Sequence, residues 1–131
     1  RSENINIIKK YYNKKIILID RFTDSTIAYQ HFGMGVDLNL IKTLNNFLLK
    51  NIKVSFTFLN IVNQKNLQKR LKQRKLLNRY DKFNISFYSK VQKGFIRLSK
   101  KQKNKYQLIN SNLEIDKNEK LILDKIDKLI K

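Results

Sequence analysis

The chain has no cysteine, no proline and no tryptophan, and only one histidine, one methionine and three glycines in 131 residues. Without thiols there is no disulfide, no thiolate zinc site and no cysteine nucleophile, and the redox compartment stays open. His31 stands alone, so no imidazole cluster is available, and the metal worth considering is one held by oxygen ligands and phosphate. No run approaches the ~18 apolar residues that a membrane span requires. No Ser/His/Asp set, His-Glu-x-x-His pair, calcium-loop spacing or Gly-x-x-x-x-Gly-Lys-Ser/Thr phosphate loop is present. A signal peptide's short apolar core followed by small residues is also missing, and the sequence opens on Arg1 rather than methionine.

What is there suffices for one packed domain: 41% hydrophobic and 11% aromatic residues. Basic residues number 29 against 10 acidic ones, a formal charge of +19. Such an excess attracts nucleic acid, anionic membrane or a polyphosphate ligand. Yet only six of the 29 are arginines, and the chain is crowded with Lys, Asn and Ile, the pattern an A/T-rich coding sequence produces. Charge alone therefore does not separate a selected binding stripe from solvated faces.

With glycine and proline scarce, periodicity has to parse the chain. Residues 2–13 place Ile5, Ile8 and Tyr12 three and four apart, which predicts an amphipathic helix. The run Ile16-Ile17-Leu18-Ile19, ending in Asp20, predicts a strand buried on both faces, as in a parallel sheet. Asp37 is placed to cap a helix to about Lys50 with Leu38, Ile41, Leu44 and Leu48 inward. Residues 53–59 predict a second strand, 63–75 a basic helix, 84–103 a helix facing Phe87, Val91, Phe95 and Leu98 inward, and 106–109 a third strand. Asp116 and Glu119 have the spacing of a capping box opening a last helix, with Leu121, Ile122, Ile126, Leu129 and Ile130 inward. Strands alternating with long helices mean a parallel sheet with helices on both faces, whose ligands gather at the carboxyl ends of the strands.

Three groups of residues there can carry chemistry. Asp20 can orient magnesium or a neighbouring guanidinium while Arg21 forks onto phosphate oxygens, or the two form a structural ion pair at a strand end. Thr26, Tyr29 and Gln30 can read a nucleobase edge and pack on a sugar, or make an ordinary first helical turn. Arg70, Arg74 and Arg79 can stabilise a phosphoryl group from a mobile lid, or form a solvated basic face. His31 is read as a loop residue without catalytic duty.

The stretch from Asp20 to Asp37, DRFTDSTIAYQHFGMGVD, resembles the signature of the bacterial-type thymidylate kinase family: Asp-Arg-Tyr/Phe, a Asp-Ser-x-x-Ala-Tyr-Gln run, a glycine-rich loop and an Asp-Leu pair. Residues 70–95 resemble the family's lid and the helix after it, with the lid at about 70–83. Asn78 and Asp81 stand where the family usually has Asp and Glu. Asn110-Ser111-Asn112 stands where it tends to have Asp-Ala-Ser, and Arg1 resembles the arginine that opens the helix before the Asp-Arg strand. The resemblance spans all 131 residues.

It implies transfer of the γ-phosphoryl of ATP to dTMP with magnesium. By position, Arg1 matches the arginine that bonds thymine, Asp20 the acid that helps organise magnesium, and Arg21 the arginine that holds the dTMP phosphate. Ser25 and Thr26 match small polar residues of the monophosphate site. Tyr29 matches the ring beneath the deoxyribose, with Gln30 beside it, and Tyr80 an aromatic near the sugar. Arg70, Arg74 and Arg79 match lid positions that reach the ATP phosphates. The implied fold is α/β, a P-loop nucleoside-monophosphate-kinase-like parallel sheet. Residues 1–131 then form the C-terminal two-thirds of a single domain whose first strand and phosphate loop precede Arg1. Those 131 residues alone are accordingly expected to be neither catalytic nor independently stable. A homodimer, cytoplasmic residence and no membrane partner are implied as well. The alternative is a non-catalytic basic module of the same fold that binds nucleic acid with strong salt dependence. The substrate-facing set favours the kinase.

Overall fold

A computed structural model describes residues 2–73 and 84–130. Helix α1, Ser2–Tyr11, buries Ile5 and Ile8 one turn apart and lies against α3, Leu38–Leu49, whose buried residues are Ile41 and Asn45. Asn13 takes φ 69°, a left-handed value asparagine tolerates, just beyond the end of α1. The Tyr12 hydroxyl accepts the Lys53 N–H at 3.0 Å and ties this corner to the segment before the sheet.

Residues 15–19, expected as a doubly buried strand, join no ladder, and Ile16, Leu18 and Ile19 are 65%, 81% and 43% exposed. A strand is defined by its neighbour, and among the described residues none pairs with this segment. It leads into helix α2, Thr23–Thr26, which continues directly as a π-helix, Ile27–Gly33. Asp37 caps α3 as expected, its carboxylate accepting the Leu40 N–H at 2.8 Å. Leu44, expected inward, is exposed, and Asn45 takes the buried place beside Ile41.

Strand β1, Thr57–Ile61, pairs in parallel with β2, Tyr106–Asn110, in register from Thr57↔Tyr106 to Ile61↔Asn110. The expected strand at 53–59 is thus displaced, because its partner begins only opposite Thr57. Parallel strands need a long crossover, and here it holds α4, Gln64–Lys72, and α5, Ile85–Lys101. Asparagine caps both helices: Asn63 accepts from the Asn66 N–H, and Asn84 from the Phe87 N–H at 3.0 Å.

Helix α5 and the π-helix form the core at the site. Ala28, Phe87 and Val91 are buried there, with Tyr29, Tyr88 and Phe95 packed around them. The two backbones meet at glycines: a methyl group on Gly94 would fall 2.5 Å from the Phe32 ring, and one on Gly33 2.5 Å from the Phe87 ring. Helix α6, Ile115–Ile130, starts one residue before the expected capping box. The Glu114 carbonyl accepts the Asn118 N–H at 3.4 Å, so Asp116 lies inside the first turn, where its charge favours the helix dipole instead of capping. Its expected inward residues Leu121, Leu129 and Ile130 are exposed, since no described element covers that face.

Candidate active site

The Asp-Arg pair comes off the segment after residues 15–19, and both side chains are exposed. Arg21 has φ 61°, in the left-handed region that a non-glycine residue enters at a cost. That backbone turn sends its guanidinium toward the π-helix. Arg21 Nη1 donates to the Tyr29 hydroxyl at 3.0 Å, and its guanidinium carbon lies 5.4 Å from the centre of the Tyr29 ring. The Tyr29 ring is held edge-on by Phe87 and Phe95, with ring centres 6.0 and 6.3 Å away. One exposed cation is thereby fixed beside one half-buried ring.

Ser25 and Thr26 lie in α2, and Gln30 follows Tyr29 in the π-helix; all three are half-buried along the same helical run. Such a π-turn re-aims side chains relative to an α-helix and recurs at functional sites. His31 Nδ1 donates to the Val36 carbonyl at 2.8 Å and braces the loop that carries Gly35, whose φ is 81°. His31 lies in the π-helix, where the sequence suggested a loop.

A second group gathers at the carboxyl ends of β1 and β2. Arg70, on the last turn of α4, donates from Nη2 to the Ser111 carbonyl at 2.6 Å. The loop it grips is built from asparagines. Asn112 Oδ1 accepts the Asn63 N–H at 3.1 Å and Asn66 Nδ2 at 3.0 Å, and Asn112 Nδ2 donates to Asn110 Oδ1 at 2.8 Å. Asn60, Arg70, Ser111 and Asn118 line one part of an open cleft of about 870 Å3 whose remaining wall is mostly apolar, with Glu119 among it. Asp20 and Arg21 are not part of its lining, so the structure makes two groups, Arg21 with Tyr29 and Arg70 with Ser111. Arg1, Arg74, Arg79 and Tyr80 lie outside the described residues.

Sequence reasoning missed the asparagine-built loop and a further contact across the fold. The Tyr106 hydroxyl, at the start of β2, donates to Asp24 Oδ2 across 82 residues of chain. Burial, then the Asp24 hydrogen bond and its negative charge, push the Tyr106 phenol well above its ordinary range, with a Thr57 hydrogen bond opposing. Nothing in spacing or composition links two residues so far apart.

Parallel strands bridged by a two-helix crossover, with the basic groups on loops and helix ends around them, define an α/β protein of the ligand-at-the-rim kind. A family model described as thymidylate kinase matches residues 1–122. The thymidylate kinase of Wolbachia pipientis subsp. Culex pipiens is 36% identical over 104 residues, covering 79% of this chain and 49% of that relative. That of Wolbachia sp. subsp. Brugia malayi is 35% identical over 115 residues, covering 88% and 54%. A crystal structure of thymidylate kinase from Ehrlichia chaffeensis superposes with a TM-score of 0.66 at 29% identity, covering 98% of this chain and 60% of that one.

The chain belongs to the thymidylate kinase family, and its fold is the P-loop kinase-like α/β fold of that family. It spans about half the length of the curated relatives it matches.

Proposed function

We propose that the protein phosphorylates dTMP to dTDP at the expense of ATP, and that Arg21, Ser25, Thr26, Tyr29 and Gln30 contribute to its dTMP site. The observation that carries this reading is the Arg21–Tyr29 pair, a planar donor fork fixed over an aromatic ring within the family's signature segment. A guanidinium in that place suits a monophosphate bidentately, and the ring beside it suits a deoxyribose. In the proposed step, an oxygen of the dTMP phosphate forms a bond to the γ-phosphorus of ATP as the bond to the β–γ bridging oxygen breaks. ADP leaves with that oxygen. The protein's part is to align the two phosphates and neutralise spread charge. Arg21 holds the acceptor, and Arg70, with Arg74 and Arg79, serves the donor; Ser25, Thr26 and Gln30 complete the dTMP side. Arg1 and Tyr80 belong to the same assignment.

Among the described residues no three carboxylate or imidazole groups converge, which does not suit a cation caged by protein. Asp20, an exposed carboxylate beside Arg21, would instead help organise, indirectly, magnesium brought with the ATP. When bound, the ion supplies charge neutralisation on the transferring phosphoryl oxygens. No phosphate-cradling Gly-x-x-x-x-Gly-Lys-Ser/Thr loop stands in these 131 residues, so by themselves they are expected to turn over no dTMP. A homodimer, as the family resemblance implies, belongs to the same reading, and sedimentation of the purified protein measures it. The deciding experiment is an assay of the protein expressed from its complete open reading frame, with ATP and each of dTMP, dUMP, dCMP and dGMP. Formation of dTDP, lost by at least about 100-fold in kcat/KM on Arg21→Ala, is expected. No dTMP turnover, or equal turnover of all four nucleotides, overturns the proposal.

A further inference from the structure

The Arg21–Tyr29 pair sits on a short helical segment whose far end is well fixed. There the π-helix closes on α5 at the Gly33 and Gly94 contacts, and Tyr29 is wedged against Phe87 and Phe95. The near end is different. Asp20 and Arg21 are exposed, and Arg21 holds a positive φ that the local chain does not favour. Helix α2 opens there with no side-chain cap at Phe22 and runs on into the π-helix.

One side chain from the sheet reaches this end of the segment. The Tyr106 hydroxyl donates to the Asp24 carboxylate, both residues being half-buried. Tyr106 is itself immobilised as the first residue of β2, opposite Thr57 in the parallel register. Asp24 lies three residues after Arg21 and five before Tyr29, inside the turn that joins them. A hydrogen bond to an ionised acceptor is short, directional and stronger than a neutral one. We propose that Tyr106 is a positioning residue: by holding Asp24 to the edge of the sheet, it sets the position of the Arg21–Tyr29 pair and so the affinity for dTMP. This rests on the reading of that pair as the dTMP site. Neither Tyr106 nor Asp24 touches substrate in this account; the two act through the segment they hold.

The test compares wild type, Tyr106→Phe, Asp24→Ala and Asp24→Asn, each expressed from the complete open reading frame. Steady-state kinetics are run against dTMP and against ATP, and amide hydrogen exchange is followed in peptides covering 21–33 and 85–101. Tyr106→Phe and Asp24→Ala are expected to raise KM for dTMP about five- to tenfold, part of the worth of one charged hydrogen bond. The values of kcat and of KM for ATP should stay within about twofold, and exchange should quicken in 21–33 but not in 85–101. Asp24→Asn keeps an oxygen that accepts from the hydroxyl but loses the charge, so its KM for dTMP should lie between those of wild type and Asp24→Ala. An unchanged dTMP KM in Tyr106→Phe overturns the inference. So does a parallel rise in both KM values with exchange accelerated throughout, which is general destabilisation. If wild type does not phosphorylate dTMP, the kinase reading fails separately and exchange alone decides. Acceleration confined to 21–33 then upholds the tether, and none refutes it.

Discussion

Tyr29 has two jobs that substitution separates. Its ring fills space between Phe87 and Phe95, and its hydroxyl accepts from Arg21. Tyr29→Phe keeps the ring, so the cost in stability should be about 1 kcal/mol or less, while KM for dTMP rises severalfold because Arg21 loses an acceptor. Tyr29→Ala removes the ring from the core edge and should cost roughly 2–3 kcal/mol, the half-buried share of a Phe→Ala deletion. Urea unfolding alongside kinetics reads both, and equal stability losses in the two variants would contradict the division. Tyr106 gives a prediction in pH. Its phenol is raised in the folded state, so between the ordinary value of about 10 and the raised one the native protein binds more protons than the unfolded chain. Its stabilising contribution is complete below about pH 10 and is lost as pH climbs toward the folded value. Unfolding midpoints of wild type should therefore drop faster above about pH 10 than those of Tyr106→Phe. Lysine deprotonation acts on both proteins alike and cancels in the comparison. Parallel curves would mean that Tyr106 is no more protonated when folded than when unfolded.

At the scale of elements, the closest packing is between the π-helix and α5. A Cβ at Gly94 would lie 2.5–2.8 Å from three atoms of Phe32, including its Cβ, so a rotamer change alone does not clear it. Gly94→Ala gains helix propensity but overpacks this contact, and a net loss of about 1–3 kcal/mol is expected. A stabilised Gly94→Ala protein would show that the two helices separate freely. Local elements with their own signals were legible in the sequence. Asp37 capping α3, Phe87 and Val91 facing inward four apart on α5, and Tyr106 opening a strand all need only neighbouring residues to be understood. The failures share one cause, dependence on a partner distant in the chain. The run at 16–19 reads as a buried strand but finds no ladder among the described residues. The strand expected at 53–59 slides to Thr57–Ile61 because β2 sets its start. The apolar side of α6 is written at the right spacing, yet Leu121, Leu129 and Ile130 remain exposed. At the site, the signature run singled out the Asp-Arg pair and Tyr29 as candidates, and the arginine spacing singled out Arg70. The Tyr106–Asp24 link and the asparagine-built loop under Arg70 were not, because no periodicity encodes contacts of 82 and about 46 residues' separation.

For the whole molecule, the excess of 29 basic over 10 acidic residues acts in two opposite directions. Folding brings like charges together, and few counter-charges are at hand; the Lys117–Glu114 pair, for example, is 3.9 Å apart and mostly exposed on both sides. The compact state is then strained by self-repulsion, which salt relieves as the screening length falls from ~30 Å at 0.01 M to ~10 Å at 0.1 M and ~3 Å at 1 M. Substrate capture responds the other way. Under the proposed function, ATP and dTMP are anions drawn toward a cationic surface, and screening weakens that attraction. Raising sodium chloride from about 0.02 to 0.5 M should thus increase the urea midpoint while lowering kcat/KM for both nucleotides by several-fold. kcat itself should change little, since bound substrates are already in place. The pair of slopes is more telling than either alone. If stability fell with salt, the charges would have to be arranged in net attractive networks despite their imbalance. If stability rose and kcat/KM stayed flat, the positive field would lie away from the Arg21 and Arg70 groups, and the +19 charge would have no part in bringing nucleotides to them.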